Sequence, residues 1–237
     1  KRIGIDVGGT NTDAVLIDGE TVLSAIKFPT TSDVMKGVVD AVRHLIASQP
    51  SARVAMVAVE ICSAAFYLDD DPGVLISLCL FGDGASASIW NGHPGPTALR
   101  ATGFDTLHLP EYRELLRFEN QHGKLRNKLH RSVPDKAALA VSRLYEKTQE
   151  APPTRVLAHA GGRDVLDALS NSLPGHTLAE STRILRDHGN MSSPSVLFAL
   201  GDYLAGDNRP SPTERESLWL TSFGAGFAAH AMHLNRE

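Results

Sequence analysis

The chain has 237 residues with 23 Lys and Arg against 27 Asp and Glu, a net charge of -4 that gives no basic footprint for nucleic acid. A 42% hydrophobic content can fill the core of one large domain or two small ones, while no apolar run reaches the roughly 18–20 residues of a membrane helix. The cysteines, Cys62 and Cys79, make no disulfide framework, and no signal-peptide pattern stands at the start, so a cytoplasmic protein is expected.

Residues 3–18 read as a hairpin, two β-branched strands around Gly8-Gly9-Thr10-Asn11. Thr31-Ser32-Asp33 caps a helix over 32–48, whose Val34, Val38, Val42 and Leu45 recur at helical spacing. A strand follows from Arg53 to Ile61. Asp69-Asp70-Asp71 precedes Pro72-Gly73 and reads as a solvated turn rather than a metal site. Cys79, between two leucines, reads as core. Gly82-Asp83-Gly84 reads as a turn before a strand ending near Trp90, and residues 91–96 form a Gly/Pro link. Then come a strand to Leu109, a strand pair over 113–129 with its charges on an exposed face, and a helix over 134–147. The apolar run Arg155 to Ala158 is a buried strand ended by His159, with Gly161-Gly162 turning into a helix over 163–173. Further helices are expected over 178–188 and 194–204, a surface loop over 206–213, a closing hairpin through 218–227, and a frayed end from Met232.

Two places carry candidate chemistry. His159 at a strand end and Asn190 at a helix entry are placed to share a pocket and to aim two donors at one thioester carbonyl oxygen, an oxyanion hole. The plainer readings are a structural histidine and a turn residue. At the other end, Asp6, Gly8, Gly9, Thr10, Asn11 and Thr12 can offer backbone N–H groups and hydroxyls to a phosphate, with Asp6 holding a metal-bound water; the plainer reading is a hairpin that joins a sheet. No cluster reads as a set of protein metal ligands.

Val59-Glu60-Ile61-Cys62-Ser63, Leu80-Phe81-Gly82-Asp83-Gly84-Ala85, the His159 and Asn190 motifs and Phe223-Gly224-Ala225-Gly226-Phe227 stand in an order and spacing that resemble a type III polyketide synthase. From about 53 to 237 the chain resembles the C-terminal part of that chalcone/stilbene synthase family. Ile3 to Asp18, with Lys27 to Thr31 and Asp33, resembles the N-terminus of the hydantoinase/oxoprolinase family, an actin-like ATPase start. The resemblances imply a fusion joined near residues 46–53, with a hydantoinase-like hairpin and helix over 1–52, the end of a first thiolase-like half over 53–96 and a C-terminal thiolase-like half over 97–237. The implied fold class is α/β.

The polyketide-synthase resemblance implies decarboxylative condensation of malonyl-CoA with an acyl-CoA. Coenzyme A thioesters would be the substrates, with no cofactor, and a homodimer the assembly. His159 and Asn190 would be catalytic, Phe81 an aromatic gatekeeper, and Gly224 part of a turn bordering the cyclisation cavity. It also implies a nucleophilic Cys at the start of the helix before strand 54–61. Counting back lands near Ser32, and no Cys stands there. Cys62 and Ser32 are the candidate replacements, and a serine hydroxyl is the weaker nucleophile. Three readings stay open: a condensing enzyme impaired by the missing Cys, a non-catalytic fusion, and a hydantoinase-type ATP-dependent hydrolase.

Overall fold

The computed structural model describes residues 2–7, 11–29, 53–91, 98–148, 151–207, 209–211 and 214–236. The chain divides into two compact units, Lys1–Met56 with Ala87–Pro96, and Val57–Ser86 with Thr97–Glu237.

In the first unit β1 (Arg2–Val7), β2 (Asn11–Asp18) and β3 (Thr21–Pro29) form an antiparallel sheet in chain order. Arg2 pairs with Ile17 and Val7 with Thr12, so the hairpin expected over 3–18 is present. A third strand, which the sequence reading did not anticipate, pairs Asp18 with Thr21 and Asn11 with Pro29. The helix expected over 32–48, with Ser32, lies outside the described residues, as do Gly8, Gly9, Thr10 and all of the 91–96 link except Asn91.

β4 (Arg53–Glu60) and β5 (Gly84–Asn91) pair as a two-stranded sheet, with a 3₁₀ turn at Cys62–Ala65 and helix α1 (Pro72–Leu80) between them in sequence. Then come β6 (Arg100–His108), a 3₁₀ turn at Pro110–Leu115, β7 (Leu116–Gln121) and β8 (Lys124–Leu129). His122 and Gly123 both take positive φ, the backbone that a two-residue hairpin turn requires. Next are α2 (Val133–Thr148), β9 (Arg155–Ala158), α3 (Arg163–Ser172), α4 (Ala179–His188), α5 (Ser195–Ala205), β10 (Glu216–Gly224) and β11 (Ala228–Arg236).

The main sheet of the second unit runs β6-β11-β10-β9, with β9 parallel to β10 and the other pairs antiparallel. A parallel pair needs a long crossover, and α3 to α5 supply it. Val156, Ala158 and Trp219 pack in one cluster with Val141 and Leu144 of α2 and Val165 and Leu169 of α3. Leu157, Leu218 and Leu220 alternate with them and are also buried, and α5 packs on β9 and β10 with Ala199, Leu200 and Tyr203 buried. Strands covered on both faces read as unbroken apolar runs, which is the pattern of residues 156–158 and 218–220.

Several expectations are corrected. Residues 72–80 form a helix: the Asp71 carboxylate caps it, accepting from the N–H groups of Gly73 and Val74, and pairs with Arg126. Asp71 is therefore no solvated turn residue, and Arg126 does not simply face solvent. Val74, Ser77 and Leu78 share one face of α1, which leaves Cys79 exposed with Leu75 and Ile76 rather than in the core. Gly84 opens β5 instead of ending a turn. The end from Met232 is not frayed. β11 lies between β6 and β10, and Arg236 is buried against the fully buried Glu216 at 2.9 Å.

Candidate active site

His159 stands just past the C-terminal end of β9, where its backbone N–H donates to the Thr221 carbonyl (2.8 Å). Its ring meets Phe223 edge-on, with centroids 5.5 Å apart, and Phe223 stacks on Phe227. Burial pushes the imidazole down to about 4, only partly opposed by a hydrogen bond to the backbone of Ser192. The ring is therefore neutral near pH 7 and carries one N–H.

Asn190 is buried and held on every side. Its backbone N–H donates to the Leu80 carbonyl (2.8 Å), and its carbonyl accepts from the Gly82 N–H (3.0 Å), which stitches the loop after α4 to the end of α1. A Cβ on Gly82 would stand 2.2 Å from the His188 carbonyl oxygen, so only glycine lets the two backbones approach this closely. Asn190 Nδ2 donates to the Gly161 carbonyl (3.1 Å), and Oδ1 accepts from the Ser192 N–H (2.8 Å). Asn190 is thus tied to the turn after His159, and His159 to the turn after Asn190. The second N–H of the Asn190 amide remains as a donor. When the one proton of the neutral His159 ring is shared with Ser192, its other nitrogen is an acceptor.

Ser192 also lines a cavity of about 280 Å³ beside this pair. Its walls include Ile61, Phe66, Leu78, Phe81 and Phe118, with Cys62, Glu60 and Asn127 among the polar lining. Cys62 and Phe81 thus share a space of which Ser192 is a wall. The Cys62 thiol is pushed above its ordinary value by burial, then by the negative charges of Glu60 and Asp83. Asp83 accepts from the Ser63 backbone N–H (2.8 Å) and hydroxyl (2.6 Å), placing its carboxylate at the start of the 3₁₀ turn where a thiolate would seek positive charge. Ser193 Oγ donates to Glu60 Oε1 (2.7 Å). Gly224 pairs with Ala228 where β10 meets β11, next to Phe223. Of the phosphate candidates, Asp6, Asn11 and Thr12 lie in strands, pairing with Asp13, Pro29 and Val7 respectively; Gly8, Gly9 and Thr10 are outside the described residues. Among the described residues no group of three or more His, Cys, Asp or Glu could hold a metal ion, and no helix is long and apolar enough to cross a membrane.

The sequence reading missed Asn127 and Phe118 as lining groups. The signal for Asn127 was the alternation Leu125, Asn127, Leu129, in which a lone amide interrupts an apolar stripe.

Comparison with known proteins bears on both ends of the chain. Residues 2–64 match the hydantoinase/oxoprolinase N-terminal region. A 1,3,6,8-tetrahydroxynaphthalene synthase of Streptomyces peucetius subsp. caesius is 31% identical over 196 residues, 76% of this chain and 50% of that protein. A 3,5-dihydroxyphenylacetyl-CoA synthase of Streptomyces toyocaensis is 30% identical over 172 residues, 65% of this chain and 43% of that protein. The solved 1,3,6,8-tetrahydroxynaphthalene synthase of Streptomyces coelicolor, a bacterial type III polyketide synthase, superposes with a TM-score of 0.69 at 27% identity, covering 84% of this chain and 58% of that one. The chain spans about half the length of the curated relatives it matches. Over most of its length it is similar to the C-terminal part of the type III polyketide synthases, with their thiolase-like α/β fold, and its first residues are similar to the hydantoinase/oxoprolinase N-terminal region.

Proposed function

We propose that the chain is a type III polyketide synthase-like acyltransferase portion whose chemistry is decarboxylation of malonyl-CoA without chain extension. The observation that carries this reading is the mutual bracing of the pair, Asn190 onto Gly161 and His159 onto Ser192, beside a cavity that Ser192 borders. With a malonyl thioester there, the bond between the carboxylate carbon and the α-carbon breaks. CO₂ leaves, and the electron pair moves into an enolate whose oxygen takes the free Asn190 N–H. A proton from water then returns to the α-carbon and gives the acetyl thioester. Chain extension needs an acyl group on a thiolate, and the raised Cys62 thiol argues against one at that position. On this reading residues 1–52 are an appended segment, 53–96 the end of a first thiolase-like half and 97–237 the working half, with a homodimer as the assembly.

A second reading, a non-catalytic fusion, is favoured by the same engagement of the Asn190 amide and the unactivated Cys62. A third, an ATP-dependent hydrolase of the hydantoinase/oxoprolinase type, draws on the match over residues 2–64 and requires nucleotide binding. The deciding experiment follows CO₂ release from malonyl-CoA, with intact-mass spectrometry after incubation with malonyl- and long-chain acyl-CoA. The expected result is CO₂ release that His159→Ala lowers at least tenfold, with no acyl adduct. An adduct lost in Cys62→Ala would restore the condensing reading. Neither CO₂ nor adduct would leave the scaffold reading.

A further inference from the structure

His159 and Asn190 follow the ends of two different elements, and the bonds between those elements decide how the pair is held. β9 is an edge strand of the main sheet. His159, one residue beyond it, turns its backbone N–H inward to the Thr221 carbonyl of β10 (2.8 Å). Successive N–H groups of an extended chain point to opposite sides, so that of Ala158 points off the edge, where the sheet supplies no further strand. Ala158 is fully buried, so water cannot take its place. Its N–H donates instead to the Ser181 hydroxyl (2.9 Å), in the first turn of α4.

Ser181 is itself fully buried, on the face of α4 that also buries Ile184. A hydroxyl there is costly unless it is bonded. The next residue, Thr182, bonds within its own helix, to the Leu178 carbonyl (3.0 Å). Ser181 instead reaches a strand 23 residues back in the chain. The neighbouring contact, Arg155 Nε to Glu180 Oε1 at 3.5 Å, is longer than an ordinary hydrogen bond, so Ser181 is the closer tie of this turn to β9. At the other end of α4 the Gly189 N–H closes the helix on the Leu185 carbonyl (3.0 Å). Asn190 comes next, and its Nδ2 donates to the Gly161 carbonyl (3.1 Å), two residues past His159. The helix is thus pinned to the β9 segment at both ends, with about 10 Å of rigid rod between the pins.

We infer that Ser181 is a positioning residue: its hydroxyl fixes α4, which leads into Asn190, upon β9, which leads into His159, and so sets the spacing of the two donors. It does not line the cavity and touches no substrate. Its loss should therefore act on the placement of the pair and leave substrate binding alone, and a misplacement of 1 Å can cost up to about a hundredfold in rate. The inference rests on reading His159 and Asn190 as the reacting pair of the proposed function, and two of its three readouts need no turnover.

The test compares the full chain with Ser181→Ala and with Ser181→Cys, which keeps the shape and offers a weaker acceptor. The His159 ring and Asn190 side-chain amide resonances are identified by their loss in His159→Gln and Asn190→Leu. In Ser181→Ala the Ala158 N–H should exchange with solvent at least tenfold faster, while the amides of β11, inside the sheet, keep their protection. The His159 and Asn190 resonances should both shift. The kcat for CO₂ release from malonyl-CoA should fall roughly tenfold with KM within about twofold. Ser181→Cys should show the same changes at smaller size, and it decides the matter if Ser181→Ala does not fold. Unmoved His159 and Asn190 resonances overturn the inference even if stability falls, as does unchanged Ala158 exchange or a loss confined to KM. Absence of CO₂ release by wild type, with both resonances moving in the variants, would remove the decarboxylase reading and leave the placement of the pair by Ser181 standing.

Discussion

The neutral imidazole of His159 makes stability depend on pH in a definite window. Burial holds it near 4 in the folded chain, while an unfolded His titrates at about 6.5. Between those values the unfolded chain binds a proton that the folded chain refuses. The stabilisation is therefore complete above about pH 6.5 and is lost as the pH falls toward 4, on the order of 3 kcal/mol in all. Urea unfolding at pH 7.5 and pH 4.5 should show this loss in wild type, and His159→Gln should flatten most of it. Some slope should persist, because His176 is also lowered by burial and by Arg155. An unchanged slope in His159→Gln would place the titration elsewhere.

The joint between the end of α1 and the loop after α4 is what gives Asn190 its position. Gly82→Ala puts a methyl 2.2 Å from the His188 carbonyl oxygen, backbone against side chain, with no flexible partner to give way. Overpacking of this kind destabilises by about 1–3 kcal/mol, and the shift should release Asn190 from Gly161. Thermal unfolding checks the first effect, and the side-chain amide resonance of Asn190 the second. A full-stability Gly82→Ala with an unmoved Asn190 would refute the close fit. This joint also shows how far the sequence could be read. Periodicity and breaker residues placed α2 to α5, β9 and β10, because each is an apolar pattern bounded by Gly, Pro or polar residues, while β11 runs on through the end expected to fray. Helix α1 was hidden because its run Val74 to Leu80 is apolar but for Ser77 and offers no period to choose a face. The residues His159 and Asn190 were legible as candidates, but their bonds to Ser192 and Gly161 join positions about thirty residues apart through backbone atoms, which no side-chain pattern reveals. Asn127 failed to register for the opposite reason: charged residues fill every other position of its strand, the pattern of an exposed face.

At the scale of the second unit, Glu216 is the buried charge that the surrounding chain converges on. Tyr203 donates to it (2.8 Å), Arg209 approaches from the preceding loop (2.9 Å), and Arg236 reaches it from the end of β11 (2.9 Å). Burial alone would raise the carboxyl, but Arg209, Tyr203 and Arg236 outweigh it and hold the group below its ordinary value. The Tyr203 hydroxyl is pushed up to about 12, by burial first and then by Glu216. A carboxyl lowered on folding stabilises above the ordinary carboxylate range and loses that contribution as the pH falls through its folded value. Glu216→Gln leaves two guanidinium groups without their counter-charge and should remove about 3–5 kcal/mol, measured as a fall in the urea midpoint at pH 7. A loss under about 1 kcal/mol would mean that solvent already screens the site.

The sheet order β6-β11-β10-β9 sets a sequence of events as well as a shape. β6 ends at residue 108, and the strand that pairs with it begins at residue 228. Until β11 is in place, β6 and β10 each present an open row of backbone donors and acceptors, the template on which strands of separate molecules join. Closing so long a loop comes late and slowly. Aggregation during refolding should therefore compete with the arrival of this one strand, and a synthetic peptide of residues 228–236 added in trans is the natural means of suppressing it.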